Sequence, residues 1–261
     1  KYSLAITAIA QEMAKAGDTE YRRQEFDSAI ENYKNAIQYS PDYTTAYFKL
    51  ARTYFKLKDY ENTKVYLGQN LAIDPNQEQS EKMLGDIFRG TGEPEKAIKH
   101  YKQAISINSN YYQAYYSLGT TLLSNGDLEN ARIALKSSIS HEPTYAKAFG
   151  ALGTVEQELG EYDLAIDNFI QSIKLDGKSY KIYYRLASVY NIQKEYENAK
   201  KSAKECLNIK RNYAPAYFEL GISEKALGNK VAATNAFEKA KKDKDWRKSA
   251  QFELEMLSKG F

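Results

Sequence analysis

The stretch "NYYQAYYSLG", residues 110–119, holds four tyrosines in ten residues and returns elsewhere in the chain. "DYTTAYFKLA" (42–51), "TYAKAFGALG" (144–153) and "NYAPAYFELG" (212–221) share its design, spaced 34 or 68 residues apart. A second element keeps the same step: "EFDSAIENYKNAI" (25–37), "EPEKAIKHYKQAI" (93–105) and "EYDLAIDNFIQSI" (161–173). Self-similarity at a fixed period of this length is the signature of a repeat array.

Seven units follow one another without insertion: 10–43, 44–77, 78–111, 112–145, 146–179, 180–213 and 214–247. At the eighth place of each unit stand Gly17, Ala51, Gly85, Gly119, Gly153, Ala187 and Gly221. A large apolar residue precedes most of them, as in Leu50, Leu84 and Leu118. Large residues at places 4, 7 and 11, and again at 20, 24 and 27, have the spacing of one helix face. Between the two runs lie turn signals such as "SNGD" and "ELGE", with Gly92, Gly126, Gly160 and Gly228 in one register. An acid or amide then opens the second helix (Asp59, Glu93, Asp127, Glu161, Glu195, Asn229), where negative charge suits the helix dipole. Each unit therefore reads as a helical hairpin, and no hairpin can bury its apolar face without a stacked neighbour.

The period and the small and large residues at these places resemble the tetratricopeptide repeat (TPR) family over about residues 10–247. The resemblance implies an all-α fold, a right-handed α-solenoid superhelix of seven TPR hairpins. Departures are local. Glu81 stands where an aromatic is usual, Thr63 and Asn70 replace small alanines, and Ser109, Gly177 and Arg211 replace a closing proline. They are expected to weaken particular joints. Residues 1–9 continue the helical pattern upstream through Tyr2, Ile6 and Ile9, as an N-terminal helical extension. "DWRKSAQFELEMLSKG" aligns Trp246, Ala250, Leu254 and Leu257 in a capping helix at 245–258, with Gly260 to end it.

The register divides the aromatics, which are 23 Tyr, 10 Phe and one Trp. Tyr33, Tyr47, Tyr101, Tyr115, Tyr183 and Tyr217 fall on packing places. In TPR proteins the first helices line the concave surface through places 2, 5, 9, 12 and 13. Carried onto this chain, that surface holds Tyr21, Phe48, Phe55, Tyr116, Tyr184 and Phe218. It also holds Arg22, Arg52, Lys56, Lys82, Arg89, Lys147, Lys181 and Lys225, with only Asp18, Asp86 and Glu158 as acids. Aromatics and Arg are common anchors of recognition surfaces. The resemblance thus implies a non-enzymatic module that recruits a protein or peptide carrying acidic and apolar residues. The alternatives are a scaffold that self-associates through its ends, or the recruiting arm of a larger protein. The carboxylate clamp of co-chaperone TPR domains is matched at two of its five places, Lys82 and Lys147; Asp86, Ser117 and Ala151 depart from it.

Little else carries chemistry. His100 and His141 lie in different units without metal-ligand spacing. Cys206 shares the packing place of Ala36 and Ala104, which favours a buried structural thiol over a nucleophile. "FRGTGEP" (88–94) has neither the preceding strand nor the closing Lys-Ser/Thr of a phosphate loop. No catalytic residue, cofactor or metal is expected. The formal charge of +3 weighs against nucleic acid, although basic and aromatic residues interleave in the groove. No apolar run approaches the ~20 residues of a membrane helix. The opening "KYSLAITAIA" is too short and polar for a signal sequence. A soluble protein is expected, the cytoplasm slightly favoured over a bacterial periplasm.

Overall fold

The computed structural model describes residues 2–259, and side chains from residue 5 onward. Among the described residues all regular structure is α-helical, in fifteen helices. The chain divides into two compact units, 1–121 and 122–261. The first holds α1 (Tyr2–Arg23), α2 (Phe26–Tyr39), α3 (Thr44–Lys56), α4 (Tyr60–Ile73), α5 (Glu78–Gly90), α6 (Pro94–Ile107) and most of α7 (Tyr112–Ser124). The second holds the end of α7, then α8 (Leu128–His141), α9 (Ala146–Glu158), α10 (Tyr162–Leu175), α11 (Tyr180–Ile192), α12 (Tyr196–Ile209), α13 (Ala214–Ala226), α14 (Lys230–Ala240) and α15 (Arg247–Ser258). Odd-numbered helices to α13 are first helices and even-numbered ones second helices: seven hairpins, followed by α15.

Glycines at the eighth place set the closeness of four hairpins. A Cβ on Gly17 would stand 2.6 Å from the Tyr33 ring, and one on Gly85 2.6 Å from Tyr101. In the second unit, Gly153 meets Phe169 at 2.8 Å and Gly221 meets Phe237 at 2.5 Å. All four rings are fully buried. In the other three hairpins the residue opposite is smaller than a ring: Ala51 goes with Leu67, Gly119 with Leu135 and Ala187 with Ala203. Small residue and ring are thus one packing unit divided between two helices.

The turn within a hairpin needs one left-handed residue. Gly92, Gly126, Gly160 and Gly228 take it with φ of 77–80°. Gln24, Lys58 and Lys194 take it at φ 62–66° without glycine's freedom. The acid that follows caps its helix only where it is aspartate. Asp59 accepts from the Asn62 N–H at 3.0 Å and Asp127 from that of Asn130 at 3.3 Å. Glu93, Glu161 and Glu195 make no such bond; the longer glutamate overshoots the first-turn N–H. Glu93 turns instead to Lys96 at 2.5 Å.

Two expectations are revised. Asn70 does not leave a polar gap. It is fully buried, its Nδ2 donates to the Thr44 carbonyl at 2.6 Å, and Ser80 Oγ donates to its Oδ1 at 2.8 Å. A satisfied amide thus ties α4 to α3 and α5. Thr63 likewise donates to the Asp59 carbonyl at 2.6 Å. At the N-terminus, Ile6 and Ile9 are exposed, at 40% and 42%. The 14 residues of α2 span ~21 Å against ~33 Å for the 22 residues of α1, so the first turns of α1 overhang their partner. Packing begins at Ala10, Met13 and Ala14. The Tyr2 side chain and Gly260 lie outside the described residues. At the other end, Ala250, Leu254 and Leu257 of α15 join the core of Ala233, Phe237 and Ala240.

Two predictions follow from the packing. Gly85→Ala lowers the urea midpoint, because ring displacement costing ~1–3 kcal/mol outweighs the ~1 kcal/mol that alanine adds in a helix. Gly68→Ala, where a Cβ meets nothing within 4 Å, raises it. Separately, Lys194→Gly relieves left-handed backbone strain of ~1 kcal/mol and raises the midpoint of thermal unfolding.

Candidate functional site

In the first unit the first-helix face is built by α1, α3, α5 and α7. Tyr21, Phe48, Phe55 and Tyr116 are each half-buried there. The Arg52 guanidinium lies over the Tyr21 ring, 4.7 Å from its centre, which joins α3 to α1. Tyr21 also meets Phe26 edge-on at 5.5 Å, and Phe55 meets Tyr60 at 5.8 Å. The buried Nε of Arg52 finds no acceptor among the described residues. Lys56, one residue beyond Phe55, is exposed, as is Arg22.

The two acids on this face are committed to the fold. Asp18 accepts from the Tyr33 hydroxyl at 2.9 Å and from Lys49 at 2.5 Å. Asp86 accepts from the Tyr101 hydroxyl at 2.9 Å and from Lys82 at 2.7 Å, with Arg89 at 3.9 Å. Burial, reinforced by the neighbouring carboxylate, holds both phenols well above their ordinary range. The repeat register assigned Tyr33 and Tyr101 to packing, and their rings do pack; their hydroxyls also reach under the helix to fix the groove acids. Lys49 was missed because it lies outside the family's groove places. Lys82 is spent on Asp86, which compounds the poor match to the carboxylate clamp.

The second unit has a different face. Here α9, α11 and α13 touch directly. The Tyr184 ring meets Tyr213 edge-on at 5.6 Å, and burial pushes its phenol up to about 12. Phe218 turns toward the cap, 5.6 Å from Phe237 and 4.9 Å from Trp246. Lys225 pairs with Glu253 of α15 at 2.9 Å. Lys147, Lys181 and Glu158 are exposed. Of the eight bases expected on the two faces, Lys82, Arg89 and Lys225 therefore face carboxylates. Arg52 covers a ring, and Arg22 Nε donates to the Asp18 carbonyl at 3.2 Å. Lys56, Lys147 and Lys181 keep their charges in solvent.

Buried carboxylates, which sequence reasoning did not single out, sit behind this second face. Glu219 is 8% exposed and accepts from Asn191 Nδ2 at 2.8 Å. Glu224 accepts from Asn229 at 2.7 Å and faces Lys200 at 3.2 Å. Glu156 accepts from Asn168 at 2.7 Å. Burial raises Glu156 and Glu219 above the usual carboxylate range. Cys206 is fully buried, which pushes its thiol up to about 11 and leaves it unreactive. Among the described residues no three His, Cys, Asp or Glu are grouped to hold a metal ion. No described helix is long and apolar enough to cross a membrane.

Glu219 supplies a pH test. Its folded pKa exceeds its unfolded one, so the folded state holds the proton more tightly. The cost of ionising it is absent below about pH 4.5, grows as pH rises from there toward the folded pKa, and is complete above it. Glu219→Gln is expected to raise the melting temperature at pH 7 and to change it far less at pH 4.

The tetratricopeptide repeat model matches residues 44–77, 112–145, 146–179 and 180–213, and a second TPR model matches 17–58 and 85–126. The chain is 33% identical over 82 residues to the heat shock protein sti1 homolog of Schizosaccharomyces pombe, which covers 31% of this chain and 14% of that protein. It therefore spans only a small part of that relative. Among solved structures, MamA is similar with a TM-score of 0.57 and 28% identity, over 60% of this chain and 92% of MamA. The pilF protein of Pseudomonas aeruginosa is similar in fold, with a TM-score of 0.71 and 20% identity over 84% of this chain and 97% of pilF. With repeat after repeat matched over more than half its length, the chain belongs to the tetratricopeptide repeat family.

Proposed function

We infer that this chain is a protein-interaction module that recruits a partner through the groove lined by its first helices, with the first unit as the principal anchor. One observation carries this reading: Arg52 and Tyr21 form a preassembled cation–ring pair beside Phe55 and the exposed Lys56. A ring and guanidinium already ordered by their own contact lose little freedom on binding. The acids of the same face are neutralised by Lys49 and Lys82, so Arg52 and Lys56 set the local sign. The fitting partner is a peptide segment with acidic and apolar side chains. No group of this face is arranged for covalent chemistry, and the reading is non-enzymatic.

Affinity capture from native lysate with the wild-type chain and an Arg52→Glu, Lys56→Glu variant tests it. The expected result is a partner bound at least tenfold more weakly by the variant, with helicity unchanged. Equal binding by both would remove the first-helix face as the site.

The exposed Ile6 and Ile9 on the overhang of α1 favour a second reading, self-association through that end. A solution mass that rises with concentration, and that Ile6→Ser with Ile9→Ser returns to monomer, would support it.

A further inference from the structure

The charge of the chain is unevenly placed. Residues 200–248 hold thirteen Lys and Arg against six Asp and Glu, whereas the whole chain holds 37 against 34. Two of those six acids, Glu219 and Glu224, are buried. Part of this excess gathers around a cleft of about 830 Å³ on the edge of the second unit, where the end of α12 meets the start of α13 and the end of α14. Arg211, Lys239 and Lys242 stand on its rim, all exposed. Among the described residues no carboxylate lies within 4.0 Å of any of the three; Lys241, which points elsewhere, takes Glu238 at 3.2 Å. The floor is apolar, from Leu207, Ala214 and the Tyr217 ring, with Lys239 4.9 Å above that ring. Asn212 adds a side-chain amide and Asn208 its carbonyl oxygen, the Asn208 Nδ2 donating to Glu205 at 3.4 Å. The one acid of the lining, Asp243, accepts from the Asp245 N–H at 2.9 Å.

The repeat supplies its own control, because the same joint recurs along the chain. The place of Lys239 is held by Asn35, Gln69, Gln103, Ser137, Gln171 and Glu205 in the earlier units, none of them basic. The place of Arg211 is held by Pro41, Pro75, Ser109, Pro143 and Gly177. At the place of Lys242 only Lys174 is basic. The hairpin fold therefore does not require bases here, and at one joint three occur together.

The geometry points to this cleft as a second binding site, on the edge of the hairpins and apart from the first-helix face, for an acidic peptide segment of a protein partner. Unpaired bases on the rim meet its carboxylates, the apolar floor takes an aliphatic side chain, and the asparagine amides match peptide groups, which both donate and accept. Asp243 and the apolar floor fit a peptide better than a phosphate backbone, whose charge is continuous. The site does not depend on the groove reading.

The test is fluorescence anisotropy with a labelled hexapeptide of four glutamates and two leucines, at about 0.15 M salt, where distant charges are screened. Three proteins are compared, each carrying Arg52→Glu and Lys56→Glu so that the first-helix face does not contribute: that parent, the parent with Arg211→Glu and Lys239→Glu, and the parent with Lys99→Glu and Lys102→Glu on α6. The two variants change the net charge equally, all four residues are exposed, and circular dichroism checks their helicity. The cleft variant is expected to bind at least tenfold more weakly than the parent and the α6 variant within twofold of it. Equal losses in both variants, or no saturable binding by the parent, would overturn the site. Tighter binding by the parent of a single-stranded oligonucleotide of equal charge would overturn the assignment to an acidic peptide.

Discussion

A glycine in a first helix against a ring in the second is the contact on which four of the seven hairpins are built. At Gly17, Gly85, Gly153 and Gly221 the ring lies closer than any Cβ would allow. Glycine inside a helix costs ~1 kcal/mol relative to alanine. At these four places the chain accepts that cost, and each time a buried ring is its counterpart. A fully buried aromatic removes 150–250 Å² from water, a gain of several kcal/mol at ~25 cal/mol per Å². The exchange favours the fold and draws the two helices of such a hairpin together.

Polar chemistry is laid over this apolar scheme and divides into charges the fold uses and charges it leaves in solvent. Tyr33 with Asp18 and Lys49, and Tyr101 with Asp86 and Lys82, are the same device 68 residues apart: the ring that fills the glycine notch also fixes a groove acid, which fixes a lysine. The lysine comes from the next first helix in one case and from the same helix in the other. Such pairs order the face without adding to its net charge. The charges left over are Arg52 with Lys56 on the first unit, and Lys147, Lys181 and the rim of the edge cleft on the second.

The hairpins were legible in the sequence because a repeat array is nearly one-dimensional: each unit packs only on its neighbours, so one period describes every joint. The link of Gly17 to Tyr33 and of Ala51 to Leu67 stands in the letters once the register is known. The groove was less legible. Counting bases at the family's places overstated its positive charge, since Lys82 and Lys225 are paired with Asp86 and Glu253. Lys225's partner comes from α15, which lies outside the repeat, so no register could supply it. Asn70 looked like a weakened joint because a sequence shows a polar residue at an apolar place but not the Thr44 carbonyl and Ser80 hydroxyl that meet it. The overhang of Ile6 and Ile9 depends on the relative lengths of α1 and α2, which periodicity alone does not measure.

The most direct test of the account is a double-mutant cycle at Gly153 and Phe169, a pair whose ring carries no hydroxyl to complicate the comparison. Stability of the wild type, Gly153→Ala, Phe169→Leu and the double variant is measured by urea unfolding. If glycine and ring are one packing unit, the two losses do not add: the double variant is more stable than their sum predicts by ~1 kcal/mol or more, because the smaller leucine makes room for the new methyl group. Strictly additive losses would contradict the account and leave the glycines without a structural reason.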